Sequence, residues 1–127
     1  MVPWAFRQRA SLLIRCSRED AEAIRRDALA QHRGVSGYLL FVLERSMKLE
    51  ERFLLGIQRV MPTVVSELPE NRTAIHLRCS AEEALRIRDA AERRLLSISN
   101  FVVFSLHRYW RAVQRVRRSE EERTAWR

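Results

Sequence analysis

The 127-residue chain has one lysine, Lys48, three glycines, three prolines and two cysteines. So few helix breakers exclude a chain made of many tight turns and favour long, uninterrupted helices. Cys16 and Cys79 lie far apart and have no companion set of ligands, so they form neither a disulfide framework nor a zinc-binding spacing. They read as reduced core thiols. No apolar run reaches the roughly 18 to 20 residues of a membrane span, and residues 1–9 lack the hydrophobic stretch of a secretory signal. A cytoplasmic protein without membrane contact is expected. Paired carboxylates, a nucleophile–base pair and a metal-ligand cluster are all missing at any convincing spacing, and His32, His76 and His107 are scattered. No catalytic residue, metal or cofactor is therefore expected, and the chain does not read as an enzyme.

What is present is charge and apolar mass: 46% of residues are hydrophobic and 31% charged, which suits a folded, helix-rich chain. The net charge is +8 and the pI about 11.0. The excess is even along the chain, with 11 basic and 7 acidic side chains in residues 1–63 and 13 and 9 in residues 64–127. A basic body of this kind, rather than a basic tail, points to a polyanionic partner.

The strongest signal is internal repetition, since residues 9–53 and 72–116 align without a gap at an offset of 63. Arg9, Arg15, Cys16, Ser17, Glu19, Ala21, Ile24, Arg25, Ala28, Ser36, Phe41, Leu43, Arg45 and Arg52 all recur at that offset. Each copy opens with alternating residues: Leu12, Ile14 and Cys16 on one face against Ser11, Leu13 and Arg15, and Ile75, Leu77 and Cys79 against Ala74, His76 and Arg78. Period-two alternation predicts a strand with one core face and one open face. Ser17 with Asp20, and Ser80 with Glu83, then give the capping spacing that begins a helix. Ala21, Ile24 and Ala28, and Ala84, Ile87 and Ala91, supply a buried helical stripe. Gly34-Val-Ser36 and Ser97-Ile-Ser99 break the pattern and start a second helix, with Leu39, Leu43 and Met47 or Val102, Leu106 and Trp110 facing inward. The first copy's second helix reads as continuing through Phe53 and Ile57 towards Pro62. One short strand cannot satisfy its own backbone groups, and the other copy's strand is the natural partner.

Strand, capped helix, small-residue turn and second helix in about 45 residues resemble the ribbon-helix-helix superfamily, the Arc and methionine-repressor type of DNA-binding protein. The second copy carries the resemblance best, in Ile75-His-Leu77-Arg78-Cys-Ser80, Glu83, Ala90-Ala91 and Ser97-Ile-Ser99-Asn-Phe101-Val102. The implied fold is mainly α with a short two-stranded antiparallel β-ribbon, two tandem ribbon-helix-helix units forming a single-chain pseudodimer. Residues 1–61 make the first unit with its N-terminal arm, 62–71 the connector, 72–116 the second unit and 117–127 a charged tail, the two units sharing one core. Whether the ribbon forms within one chain or by exchange between two stays open.

In such proteins the ribbon's outer face enters the DNA major groove. Placing the pseudo-twofold at Leu13 and His76 sets Ser11 opposite Arg78 and Arg15 opposite Ala74. The resemblance thus implies base contacts from Ser11, Leu13, Arg15, Ala74, His76 and Arg78. It also implies phosphate contacts from Arg7, Arg9 and Arg72 and from the second-helix starts at Val35, Ser36, Ile98 and Ser99. The expected function is sequence-specific binding of double-stranded DNA, as a transcriptional repressor associated with a bacterial or archaeal nucleoid. Pseudodimers could self-associate on DNA. Three alternatives remain: an accessory protein at a plasmid transfer origin, an antitoxin that binds a toxin protein through the tail or residues 1–6, and an interaction module that has lost DNA binding. The last would use Leu13 with Trp4, Phe6 or Trp126.

Overall fold

The computed structural model describes residues 9–54 and 72–126, with the helical backbone alone for 50–54. Arg7, Trp4, Phe6, Ile57, Pro62 and the 62–71 connector lie outside the described residues. The order is β1 (Arg9–Ser17), α1 (Arg18–Ala30), α2 (Val35–Leu54), β2 (Arg72–Ser80), α3 (Ala81–Arg93) and α4 (Ile98–Ala125). Among the described residues the fold is thus mainly helical, with one two-stranded antiparallel sheet.

The strands pair within the one chain, with Leu13 opposite His76, Ser11 opposite Arg78 and Arg15 opposite Ala74. That register follows from the alternation, because a slip of one residue would turn every apolar side chain outward. Leu12, Ile14 and Cys16 are buried from one strand, and Ile75, Leu77 and Cys79 from the other. They meet Ala21, Ile24 and Ala28 of α1 and Ala84, Ile87, Ala90 and Ala91 of α3, whose alanines let the helices approach the ribbon. Tyr38, Leu39, Val42, Leu43 and Met47 of α2 and Phe101, Val102 and Leu106 of α4 close the core. Trp110 packs against it half-buried. The thiols are free and buried at opposite ends of the ribbon: Cys16 pairs with Thr73 and Cys79 with Ala10. Six strand positions separate them, roughly 20 Å, far beyond disulfide reach. Burial pushes both thiols up, reinforced by Asp20 at Cys16 and Glu83 at Cys79 and opposed by Arg25 and Arg88.

Strand runs into helix at a serine each time. Ser17 Oγ accepts from Asp20 N–H, and Ser80 Oγ from Glu83 N–H, while Glu83 returns a bond from its carboxylate to Ser80 N–H. The ends of α1 and α3 depart from the sequence expectation. The turn is made not by Gly34 but by His32 and Leu95, repeat-equivalent residues at φ 54° and 57°. Arg33 N–H reaches Ala28 O and His32 N–H reaches Leu29 O; Leu96 and Leu95 repeat this onto Ala91 and Glu92. This is the Schellman arrangement with a non-glycine residue in the left-handed position. The charged tail is itself helical, because α4 continues as one helix to Ala125 through the charged run. Arg, Glu, Gln and Ala are all good helix formers, and no Gly or Pro follows Pro69 to stop them.

Candidate nucleic-acid interface

Nine residues give each strand roughly 30 Å of length, and the pair is a ribbon narrow enough for a major groove about 12 Å wide. Its outer face holds Arg9, Ser11, Leu13 and Arg15 from β1 and Arg72, Ala74, His76 and Arg78 from β2, every one exposed. Four of those eight side chains are arginines and none is acidic. Among the described residues neither Arg15 nor Arg78 has a carboxylate in salt-bridge reach, whereas Arg86 of α3 is held by Glu44 of α2 at 2.9 Å. The guanidinium groups of Arg15 and Arg78 are exposed, with no competing carboxylate among the described residues.

The second helix of each copy begins against the other copy's strand. Arg78 N–H donates to Ser36 Oγ at 2.9 Å, and Arg15 N–H donates to Ser99 Oγ at 2.9 Å. Ser99 Oγ–H also points to Leu13 O at 3.4 Å. These bonds use the backbone donors on the open edges of a two-stranded sheet, which would otherwise invite another strand. They also fix the two helix starts on either side of the ribbon. The sequence predicted helix starts at Gly34–Ser36 and Ser97–Ser99 but assigned the serines no cross-copy role. Ser97, not Ser99, is the cap of α4, accepting from Asn100 N–H. The recurrence of Ser36 as Ser99 was the one available signal.

Charge distribution separates the two kinds of helix start. The first turns of α1 and α3 carry Glu19 and Asp20 or Glu82 and Glu83, which answer their own helix dipoles. The first turns of α2 and α4 carry no acidic residue. The N–H groups of Val35, Ser36 and Gly37 have no intrahelical acceptor, nor do those of Ile98 and Ser99. A positive helix end with open N–H groups therefore stands at each edge of the basic ribbon, a geometry suited to an anion. Of the phosphate-contact candidates, Arg9 and Arg72 are exposed on the ribbon, and Val35, Ser36, Ile98 and Ser99 lie at the helix starts tied to its edges; Arg7 is outside the described residues. Because Ser99 Oγ is engaged on both its donor and acceptor sides, its N–H is the group left for an anion.

Among the described residues no three His, Cys, Asp or Glu side chains are grouped as metal ligands, and no helix is long and apolar enough to cross a membrane. No family model, curated protein or solved structure matches the chain.

Proposed function

We propose that the chain is a sequence-specific double-stranded DNA-binding protein, two tandem ribbon-helix-helix units forming a single-chain pseudodimer that lays its β-ribbon in the major groove. The carrying observation is the combination of exposed Arg15 and Arg78 on the ribbon, without an ion-pair partner among the described residues, with the acid-free starts of α2 and α4 at its edges. Each arginine presents paired donors that match guanine O6 and N7. The helix starts, with Arg9 and Arg72, hold the flanking phosphates and set the register. Occupancy of an operator is repression by exclusion, and the body's net charge of +8 supplies non-specific attraction to DNA.

The test is selection from a randomised duplex pool at two salt concentrations, the native chain beside the Arg15→Ala/Arg78→Ala double variant. Selective enrichment that the variant loses is the expected result. Weak, salt-sensitive binding that the variant retains would leave only charge attraction. A second reading, contact with a protein such as a toxin, draws on Leu13, 43% exposed at the centre of the ribbon, and on the exposed end of α4 with Trp126. Retained charge attraction without a selected site would favour it.

A further inference from the structure

Cross-strand pairing divides the outer face of the ribbon into two ends that carry the same arginine and different neighbours. At one end Arg78 stands opposite Ser11, at the other Arg15 stands opposite Ala74, and the centre pairs Leu13 with His76. The inner face shows no such divergence: Leu12, Ile14 and Cys16 are buried in one strand as Ile75, Leu77 and Cys79 are in the other. Core packing therefore makes similar demands on both strands and none on the exposed positions where they differ. The helix starts differ in the same sense. Among the described residues, at the Arg78 end α2 follows Gly34 and the N–H groups of Val35, Ser36 and Gly37 have no acceptor; at the Arg15 end Ser97 takes Asn100 N–H and those of Ile98 and Ser99 have none.

Resting on the DNA-reading proposal, we infer that the chain recognises a non-palindromic duplex site, with Ser11 and Leu13 set against Ala74 and His76 as the residues that fix its direction. Arg15 and Arg78 each call for a guanine at matched distances from the centre. Beside one guanine the Ala74 methyl group meets only an apolar edge, and the thymine C5-methyl is the base feature that suits it. Beside the other, the Ser11 hydroxyl both donates and accepts, so a hydrogen-bonding base edge suits it. At the centre an imidazole from one side and an isobutyl group from the other extend the difference. A palindrome offers equal edges at both ends and so mismatches one of them.

The experiment uses the full chain and a randomised duplex pool, sequenced after selection, for three proteins. The native chain is compared with Ser11→Ala/Leu13→His, whose strands both present Ala, His and Arg, and with Ala74→Ser/His76→Leu, whose strands both present Ser, Leu and Arg. All four changed positions are exposed, and helical circular dichroism checks the fold. The expected result is a directional site for the native chain and two different palindromes for the variants. Replacing one half of the native site by a copy of the other should weaken native binding by roughly 5- to 150-fold, the worth of a base contact. A palindrome selected by the native chain, or native asymmetry kept by both variants, overturns the inference and leaves DNA reading standing. No enrichment by the native chain removes both.

Discussion

The two copies agree in the backbone devices that build each unit and in the serine ties at the ribbon's edges, and differ in the side-chain pairs through which their helices meet. Ser17 and Ser80 cap, Ser36 and Ser99 tie helix to strand, and His32 and Leu95 turn the chain. Phe41 and Phe104 each lie under a pair of arginines, Arg33 with Arg45 and Arg94 with Arg108. At the contact between copies the chemistry changes. Glu44 of α2 meets Arg86 of α3, while its counterpart His107 of α4 meets Asp20 of α1 at 3.0 Å. Asp20 is the counterpart of Glu83, which turns back to its own cap; one methylene shorter, Asp20 serves the other copy instead. Tyr38, buried in α2, donates to Asp27 and accepts from Trp110, whereas its counterpart Phe101 is surrounded by apolar groups and the counterpart of Asp27 is Ala90. The lesson is that repetition conserves what folds a unit and closes the ribbon's edges, while side-chain pairs between the helices of the two units are free to become heterotypic. Two first copies pairing with each other would set Glu44 against Asp20, like charge against like.

The strongest way to break the comparison is at its shared centre. Ile14 and its counterpart Leu77 are both fully buried, so Ile14→Ala and Leu77→Ala should each destabilise by about 2–5 kcal/mol. In urea unfolding followed by circular dichroism, both should shift the same single transition; two separate transitions would mean that the copies do not share a core.

Next in size is Tyr38→Phe, which makes the first copy like the second. It leaves Asp27 and Trp110 without their phenol partner and should cost about 1–3 kcal/mol. Burial pushes the Tyr38 phenol well up, with Asp27 adding to the rise and the Trp110 bond opposing it. The fold thus holds that proton more tightly than the unfolded chain does. Its contribution is complete below the ordinary tyrosine pKa of about 10 and is lost as the pH climbs above it. Cys16 and Cys79, also raised, begin a similar loss near the ordinary thiol value of about 8.5. Urea midpoints across pH 8 to 11 should fall in native protein and fall less above pH 10 in Tyr38→Phe; parallel curves would sink this assignment.

Ser36→Ala should cost about 1 kcal/mol, the worth of one hydrogen bond, and Ser99→Ala at least as much, since its hydroxyl also reaches Leu13 O; the two should add in the double variant because they sit at opposite ends of the ribbon. Strong non-additivity in the same unfolding measurement would show that the two edges are coupled. The smallest effect is a gain. Leu95 is 93% exposed at positive φ and packs against nothing that its loss would vacate. Glycine there relieves a left-handed strain of roughly 1–2 kcal/mol and adds unfolded-state entropy of roughly 0.5–1 kcal/mol, so Leu95→Gly should raise stability by about 0.5 kcal/mol. A lowered thermal midpoint would count against it.

Much of the ribbon was legible in the sequence. Alternation over Ser11–Cys16 and Ala74–Cys79 fixes which side chains turn inward, and the repeat offset sets one strand against the other, so the outward positions of Arg15 and Arg78 follow. The helix ends at His32 and Leu95 were not legible, because leucine gives no signal of positive φ, histidine only a weak one, and Gly34 stands nearby as a decoy that adopts none. The full length of α4 was hidden too, since its last turns are exposed and give no apolar pattern, so that helix propensity is the main local support. The pairs Glu44–Arg86 and His107–Asp20 join residues 42 and 87 positions apart, beyond any local pattern. Ser36 and Ser99 read as residues of the second-helix starts, and only the folded chain brings them to the other copy's strand.

The pairing of β1 with β2 inside one polypeptide has a consequence on dilution. Two such units on separate chains would part at low concentration, and their stability would depend on how much protein is present. Covalent linkage holds each unit at an effective local concentration of the order of millimolar whatever the amount in solution. The ribbon therefore stays assembled when only a few copies of the protein are present, and its unfolding midpoint should not change between micromolar and nanomolar samples.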